Sequence, residues 1–114
     1  MKNIPWDIQK ILDELKEEVL KIAGNDVRKI ILFGSYARGD FDEESDIDIM
    51  ILVSNENVKI YDERISNTQV DLSLKYEKVI MPMFFAFEDY ALNSNVKPLY
   101  KNATKEGVVL YEAA

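Results

Sequence analysis

The stretch FGSYARGDFDEESDIDIMILV, residues 33–53, sets two aspartates inside an otherwise aliphatic run. Asp46 and Asp48 alternate with Ile47, Ile49, Ile51 and Val53. In a strand successive side chains point to opposite faces, so the two carboxylates share one face with Cα atoms about 6–7 Å apart. The aliphatic residues then line the other face and should pack on helices. Upstream, VRKIILF (27–33) has the length and aliphatic content of a buried strand, and it ends at Gly34-Ser35. YARG (36–39) reads as a short helical turn and DFDEES (40–45) as a polar loop. Glycine lets backbone approach a ligand closely, and amides at the start of a following helix can hold phosphate oxygens. The Ser35 hydroxyl can donate to the same oxygens. Arg38, one turn on, adds positive charge there or pairs with an acid in residues 40–44.

Working outward, residues 6–23 predict an amphipathic helix. Ile8, Ile11, Leu12, Leu15, Val19 and Ile22 recur at three- and four-residue spacing, and Gly24-Asn25 is a stop. Residues 55–67 fit either a short helix or an edge strand. QVDLSLKY (69–76) alternates cleanly and predicts a third strand. Pro82 breaks the chain, MFFAFEDYALNSN reads as helical, and a last helix from about Val96 to Lys105 stops at Gly107, before VVLYE. The order of elements predicts an α+β or α/β fold, a small mixed sheet flanked by helices. At 114 residues the chain reads as one domain, 1–114.

The third predicted strand carries a further carboxylate. Val70, Leu72 and Leu74 form one face of it, and Gln69, Asp71 and Ser73 the other. If this strand neighbours residues 46–53 with apolar faces on the same side, Asp71 joins Asp46 and Asp48. Convergent carboxylates raise one another's pKa unless a cation intervenes. Oxygen donors without His or Cys select a hard ion, Mg²⁺ or Mn²⁺. A carboxylate bridging two such ions about 3.5–4 Å apart serves in-line displacement at phosphorus.

Composition narrows the chemistry further. The chain has no cysteine and no histidine, which removes disulfides, thiolates, His-dependent triads and His-ligated zinc. A net charge of −7 disfavours a long nucleic acid as ligand, though not a nucleotide brought in with a cation. A hydrophobic fraction of 47% suffices for one core. No apolar run approaches the ~20 residues of a membrane span, and MKNIPWDIQK lacks the apolar centre of a secretory signal. A cytoplasmic location is the expectation.

The string G-S-x10-D-x-D followed by a lone strand aspartate resembles the signature of the DNA polymerase β-like nucleotidyltransferases. Within that superfamily, IILFGSYARGDFDEESDIDIMILV is similar to the G-S-x-A-R-G-x5-S-D-x-D string of the minimal nucleotidyltransferase (MNT) family. EGVVLYE resembles the ending often seen there. The resemblance spans roughly residues 27–111. It implies a polymerase β palm-like fold and transfer of AMP from ATP to an acceptor hydroxyl. Asp46 and Asp48 would hold two Mg²⁺ ions, and Asp71 would bind the catalytic ion and help deprotonate the acceptor. Gly34 and Ser35 would bind the triphosphate, with Arg38 assisting. Position 36, often arginine in such strings, is Tyr36 here. The resemblance further implies an antitoxin whose partner is a HEPN-domain toxin, a ribonuclease modified on a tyrosine. The alternative is an antitoxin that neutralises by binding alone over a vestigial nucleotide site. A homo- or hetero-oligomer stays open.

Two other groups have simpler readings. Met81, Met83, Phe84, Phe85 and Phe87 suit core packing, or a patch buried against a partner. Tyr90, Tyr100 and Tyr111 should pack with their hydroxyls near the surface.

Overall fold

The computed structural model describes residues 4–114. Helix α1 (Trp6–Ala23) buries Ile8, Ile11, Leu12, Leu15, Val19 and Ala23, a stripe at helical spacing, and ends where Gly24 takes a positive φ. A turn of 3-10 helix (Gly24–Asp26) leads into β1 (Val27–Phe33), the one-turn helix α2 (Ser35–Arg38) and β2 (Ile47–Val53). Helix α3 (Lys59–Tyr76) crosses over to β3 (Ile80–Ala86), and α4 (Phe87–Asn93), α5 (Pro98–Glu106) and β4 (Val108–Glu112) complete the chain. The sheet order is β3-β2-β1-β4. β1 runs antiparallel to β2 and β4, and β2 runs parallel to β3. A parallel pair needs a long crossover, which α3 provides. The sheet is mixed and flanked by helices, as the order of elements predicts.

Each face of the sheet carries its own core. On one side Ile30, Leu32, Ile47, Ile49, Ile51, Val53, Ile80 and Phe84 pack with α1 and with Tyr61, Ile65 and Leu72 of α3. On the other, Ile31, Phe33, Met50 and Leu52 pack with Tyr90, Tyr100 and Ala103 of α4 and α5, joined by Met83, Phe85 and Phe87. The Met/Phe cluster is thus divided between two cores, and only Met81, 37% exposed, stands outside both. The Tyr90 hydroxyl bonds Thr104 Oγ1 at 2.6 Å and that of Tyr100 donates to Asp89 at 2.6 Å. Among the described residues no helix is long and apolar enough to cross a membrane.

QVDLSLKY is not a strand but the last half of α3. Residues two apart on a helix diverge by about 200°, so its alternation cannot make one apolar face. Leu72 is buried, while Val70 and Leu74 are 55% and 74% exposed. Gln69 and Ser73, four apart, turn toward the backbone of β3: Gln69 Nε2 donates to the Ile80 carbonyl at 2.9 Å, and Ile80 N donates to Ser73 Oγ at 3.4 Å. These side chains cover an edge that would otherwise expose unpaired backbone groups. The ambiguous segment 55–67 resolves as the approach to α3 and its first half.

The third strand is instead β3, in a segment read as a break followed by helix. Pro82 misleads because proline has no N–H for a sheet ladder. It sits in an edge strand, at the same parity as Ile80, whose N–H already points away from β2. There a missing donor loses no ladder bond. VVLYE forms the opposite edge, β4, on β1. The turn before it passes so close to Ile31 that a Cβ on Gly107 would lie 2.5 Å from Ile31 Cγ2 and 2.2 Å from the Ala103 carbonyl oxygen.

Candidate active site at the start of the second strand

β1 delivers the chain to Gly34, whose φ of 80° and ψ of −158° lie in a region essentially confined to glycine. The reason is a contact. A Cβ on Gly34 would fall 2.4 Å from Oδ2 of Asp48. The glycine turn and the second aspartate, fourteen residues apart in sequence, are therefore in direct apposition. The Gly34 carbonyl accepts from Ala37 N at 3.1 Å and Arg38 N at 3.0 Å, and Gly39 N closes α2 on the Ser35 carbonyl at 2.8 Å. The leading amides of α2, at Ser35 and Tyr36, have no acceptor within the helix.

The loop that returns to β2 is braced by its own side chains. Asp42 N donates to Ser45 Oγ at 2.9 Å, Glu44 N donates to Asp42 Oδ1 at 2.8 Å, and Ser45 N donates to the Asp42 carbonyl at 3.2 Å. Lys78 Nζ ties it to the lead of β3 through the Glu43 carbonyl at 3.0 Å. The loop delivers exposed Asp46 one residue before β2 and half-buried Asp48 within it. Burial, then the neighbouring Asp46 charge, pushes the Asp48 carboxyl above its ordinary value, and Arg38 partly offsets the rise. Among the described residues no donor bonds either aspartate side chain. These two neighbouring carboxylates, which accept no hydrogen bond, are the groups here that could hold a cation.

The remaining expected residues are placed differently. Arg38 is bound to acids: Nε donates to Asp40 at 3.1 and 3.2 Å, and Nη1 donates to Glu106 at 3.0 Å. The pairing with an acid in 40–44 is present, and Glu106, from the end of α5, is a partner no local signal in the sequence announces. Tyr36 is buried and stacked on Phe41, with ring centroids 4.6 Å apart. It is core, which accounts for the aromatic residue at that position of the string.

Asp71 does not join the pair. Asp48 shares its face with Met50 and Leu52, under α4 and α5, whereas α3 packs on the opposite face. Asp71 is an exposed helical residue there, so the three-carboxylate face expected from strand alternation does not form. In register, Asp48 is flanked by Phe33 on β1 and Met81 on β3. No three His, Cys, Asp or Glu residues come together as a metal-binding group among the described residues. A groove of about 230 Å³ lined by Pro5, Ile8, Tyr36, Phe41 and Lys78, among others, includes neither aspartate.

Comparison with known proteins bears on this geometry. Residues 8–110 match the family model described as a nucleotidyltransferase domain. A provisionally named protein adenylyltransferase of Methanocaldococcus jannaschii is 39% identical over 79 residues, which are 69% of this chain and 80% of that protein. Among solved structures, a toxin–antitoxin with AMP-PNP superposes with a TM-score of 0.55 at 18% identity, over 89% of this chain and 73% of that one. A tri-AMPylated Shewanella oneidensis HEPN toxin in complex with MNT antitoxin superposes with a TM-score of 0.52 at 16% identity, over 92% and 72%. At such identities the superpositions establish a common fold.

Proposed function

The chain belongs to the nucleotidyltransferase domain family, and from that premise we propose that it transfers AMP from ATP to a hydroxyl of a partner protein, a HEPN-domain toxin that it thereby neutralises. The observation that carries this reading is Asp48, raised by burial and by the neighbouring Asp46, lying directly against Gly34 of the Gly34-Ser35 turn. The AMPylated toxin in a neighbour of the same fold supports the donor and the acceptor class.

Two carboxylates in a chain without histidine or cysteine suit one hard divalent cation, Mg²⁺. It would supply charge neutralisation for the triphosphate. Gly34, with no side chain, lets the Asp48 carboxylate lie directly against the turn that would carry the phosphates. The Ser35 hydroxyl and the first amides of α2 are the donors for its oxygens. In the transfer, the acceptor oxygen bonds to the α-phosphorus as the α–β phosphoanhydride bond breaks. Pyrophosphate departs and the hydroxyl proton passes to water or to a base of the acceptor. Arg38 would reach the phosphates only by exchanging Asp40 or Glu106 for them.

The purified chain, incubated with α-labelled ATP, Mg²⁺ and the candidate toxin, should label the toxin on tyrosine. An unlabelled toxin, with a nucleotide-independent complex of the two proteins, would refute transfer. The lack of a third carboxylate beside Asp48 favours a second reading, neutralisation by binding alone. Protection of cells from the toxin by Asp48→Asn at full strength would establish that alternative.

A further inference from the structure

We infer that the site holds one divalent cation per bound nucleotide rather than two, because Met81 occupies the place a third carboxylate would need. This rests on the reading of Asp46 and Asp48 as a nucleotide–cation site. Two ions bridged by one carboxylate lie about 3.5–4 Å apart, and each needs further ligands. A second ion bridged by Asp48 therefore needs a donor on the same sheet face, one strand away, at a spacing of about 4.8 Å.

The register leaves two such positions. On β1 the residue level with Asp48 is Phe33, buried in the second core. On β3 it is Met81. Its side chain is on the Asp48 face, because the next same-face partners are Met50 with Met83 and Leu52 with Phe85, all within the second core. Met81 is also the member of that row open to solvent, at 37% exposure. Two residues earlier, the Val79 carbonyl accepts from Ile47 N at 2.9 Å, and Val79 is likewise exposed and apolar. The edge beside the aspartates thus presents a thioether and an isopropyl group. Thioethers are soft ligands that do not bind Mg²⁺. Asp71, the only other candidate the sequence offered, is across the sheet.

The consequence concerns the acceptor. A second ion held by a third carboxylate would lower the pKa of the attacking hydroxyl, and among the described residues no further carboxylate joins the pair to hold one. The acceptor protein must then bring its own base or release the proton to water.

Counting Mn²⁺ bound per chain with AMP-PNP, from the electron paramagnetic resonance of free Mn²⁺, tests the inference. The natural chain should bind one nucleotide-dependent ion, Asp48→Asn none, and Met81→Asp two. Met81→Leu, a control for disturbing the edge strand, should stay at one. Two ions on the natural chain, with AMP-PNP bound, would overturn the one-ion site and leave the nucleotide reading standing. Absence of both AMP-PNP and Mn²⁺ would overturn both. A folded Met81→Asp that binds AMP-PNP but still takes one ion would overturn the assignment of position 81.

Discussion

Asp48 and Asp89 belong to the same side of the sheet and have opposite fates. Asp89 accepts bonds from Tyr100 Oη at 2.6 Å, Lys97 Nζ at 2.8 Å and Asn93 Nδ2 at 3.0 Å. Lys97 first, then Tyr100, holds its carboxyl below the ordinary range, while burial and the Asp89 charge raise the Tyr100 hydroxyl. Asp48 has burial and a second acid instead of donors, and its carboxyl is raised. One carboxylate fastens α4 to α5. The other accepts no hydrogen bond from the described residues. Carboxylates perturbed in this second way concentrate at functional sites, which makes Asp48 and not Asp89 the candidate.

The largest test of that contrast is Asp48→Asn. AMP transfer should fall to background, while thermal unfolding moves slightly upward, because the neutral isostere removes a charge the folded state disfavours. A lower melting temperature would mean that Asp48 is compensated within the fold. Gly34→Ala comes next. The new Cβ meets the Asp48 carboxylate in a backbone conformation that only glycine adopts freely, at about 1–3 kcal/mol. Chemical denaturation should register that loss together with reduced nucleotide binding. On the structural side, Tyr100→Phe removes one donor from Asp89 and should lower stability by about 0.5–1.5 kcal/mol, with transfer unchanged in the labelling assay.

Acid titration separates the two kinds of carboxylate by sign. Asp89 and Glu14, the latter bonded first by Tyr76 and then by Lys75, have folded values below their ordinary 3.8 and 4.5. Their stabilisation is complete above those ordinary values and is lost as pH falls through the lower folded ones. Asp48, raised, acts oppositely: protonation as pH falls through its folded value favours the native state. Melting temperatures between pH 7 and 3 should therefore fall less steeply for Asp89→Asn than for the natural chain. The smallest effect is expected for Arg38→Ala. Its half-exposed pairs with Asp40 and Glu106 contribute little to stability. Removing the guanidinium should nonetheless push the Asp48 carboxyl further up, readable as a chemical-shift titration of that side chain.

Most of the site is legible in residues 33–48 because its parts are joined by short, strongly patterned chain. A glycine turn after an aliphatic strand and two aspartates at the head of the next lead to Gly34 and Asp48 in contact. Tyr36 reads as a departure from the expected string but is explained by packing on Phe41, a partner five residues on that only the folded loop brings over it. Glu106 has no local signal at all. Asp71 fails for a definite reason: VDLSLKY alternates for too few residues to outweigh an eighteen-residue helix that begins at Lys59. Burial of Tyr61, Ile65 and Leu72 sets the helical period, and the apparent strand face is divided across it.

By itself the sequence determined the helix at 6–23, the strands at 27–33 and 46–53, the latter beginning one residue later in the fold, and the approach of Gly34 to Asp48. Each depends on side-chain periodicity and on glycine's conformational freedom, which act over a few residues. Which strand lies beside β2 was decided only by tertiary structure. That choice turns on the crossover of α3, on Gln69 and Ser73 covering an edge where Pro82 is harmless, and on two cores that hold the sheet from both sides. Strand neighbours are selected by burial summed over the whole sheet. The residue facing Asp48 is for that reason Met81 and not Asp71.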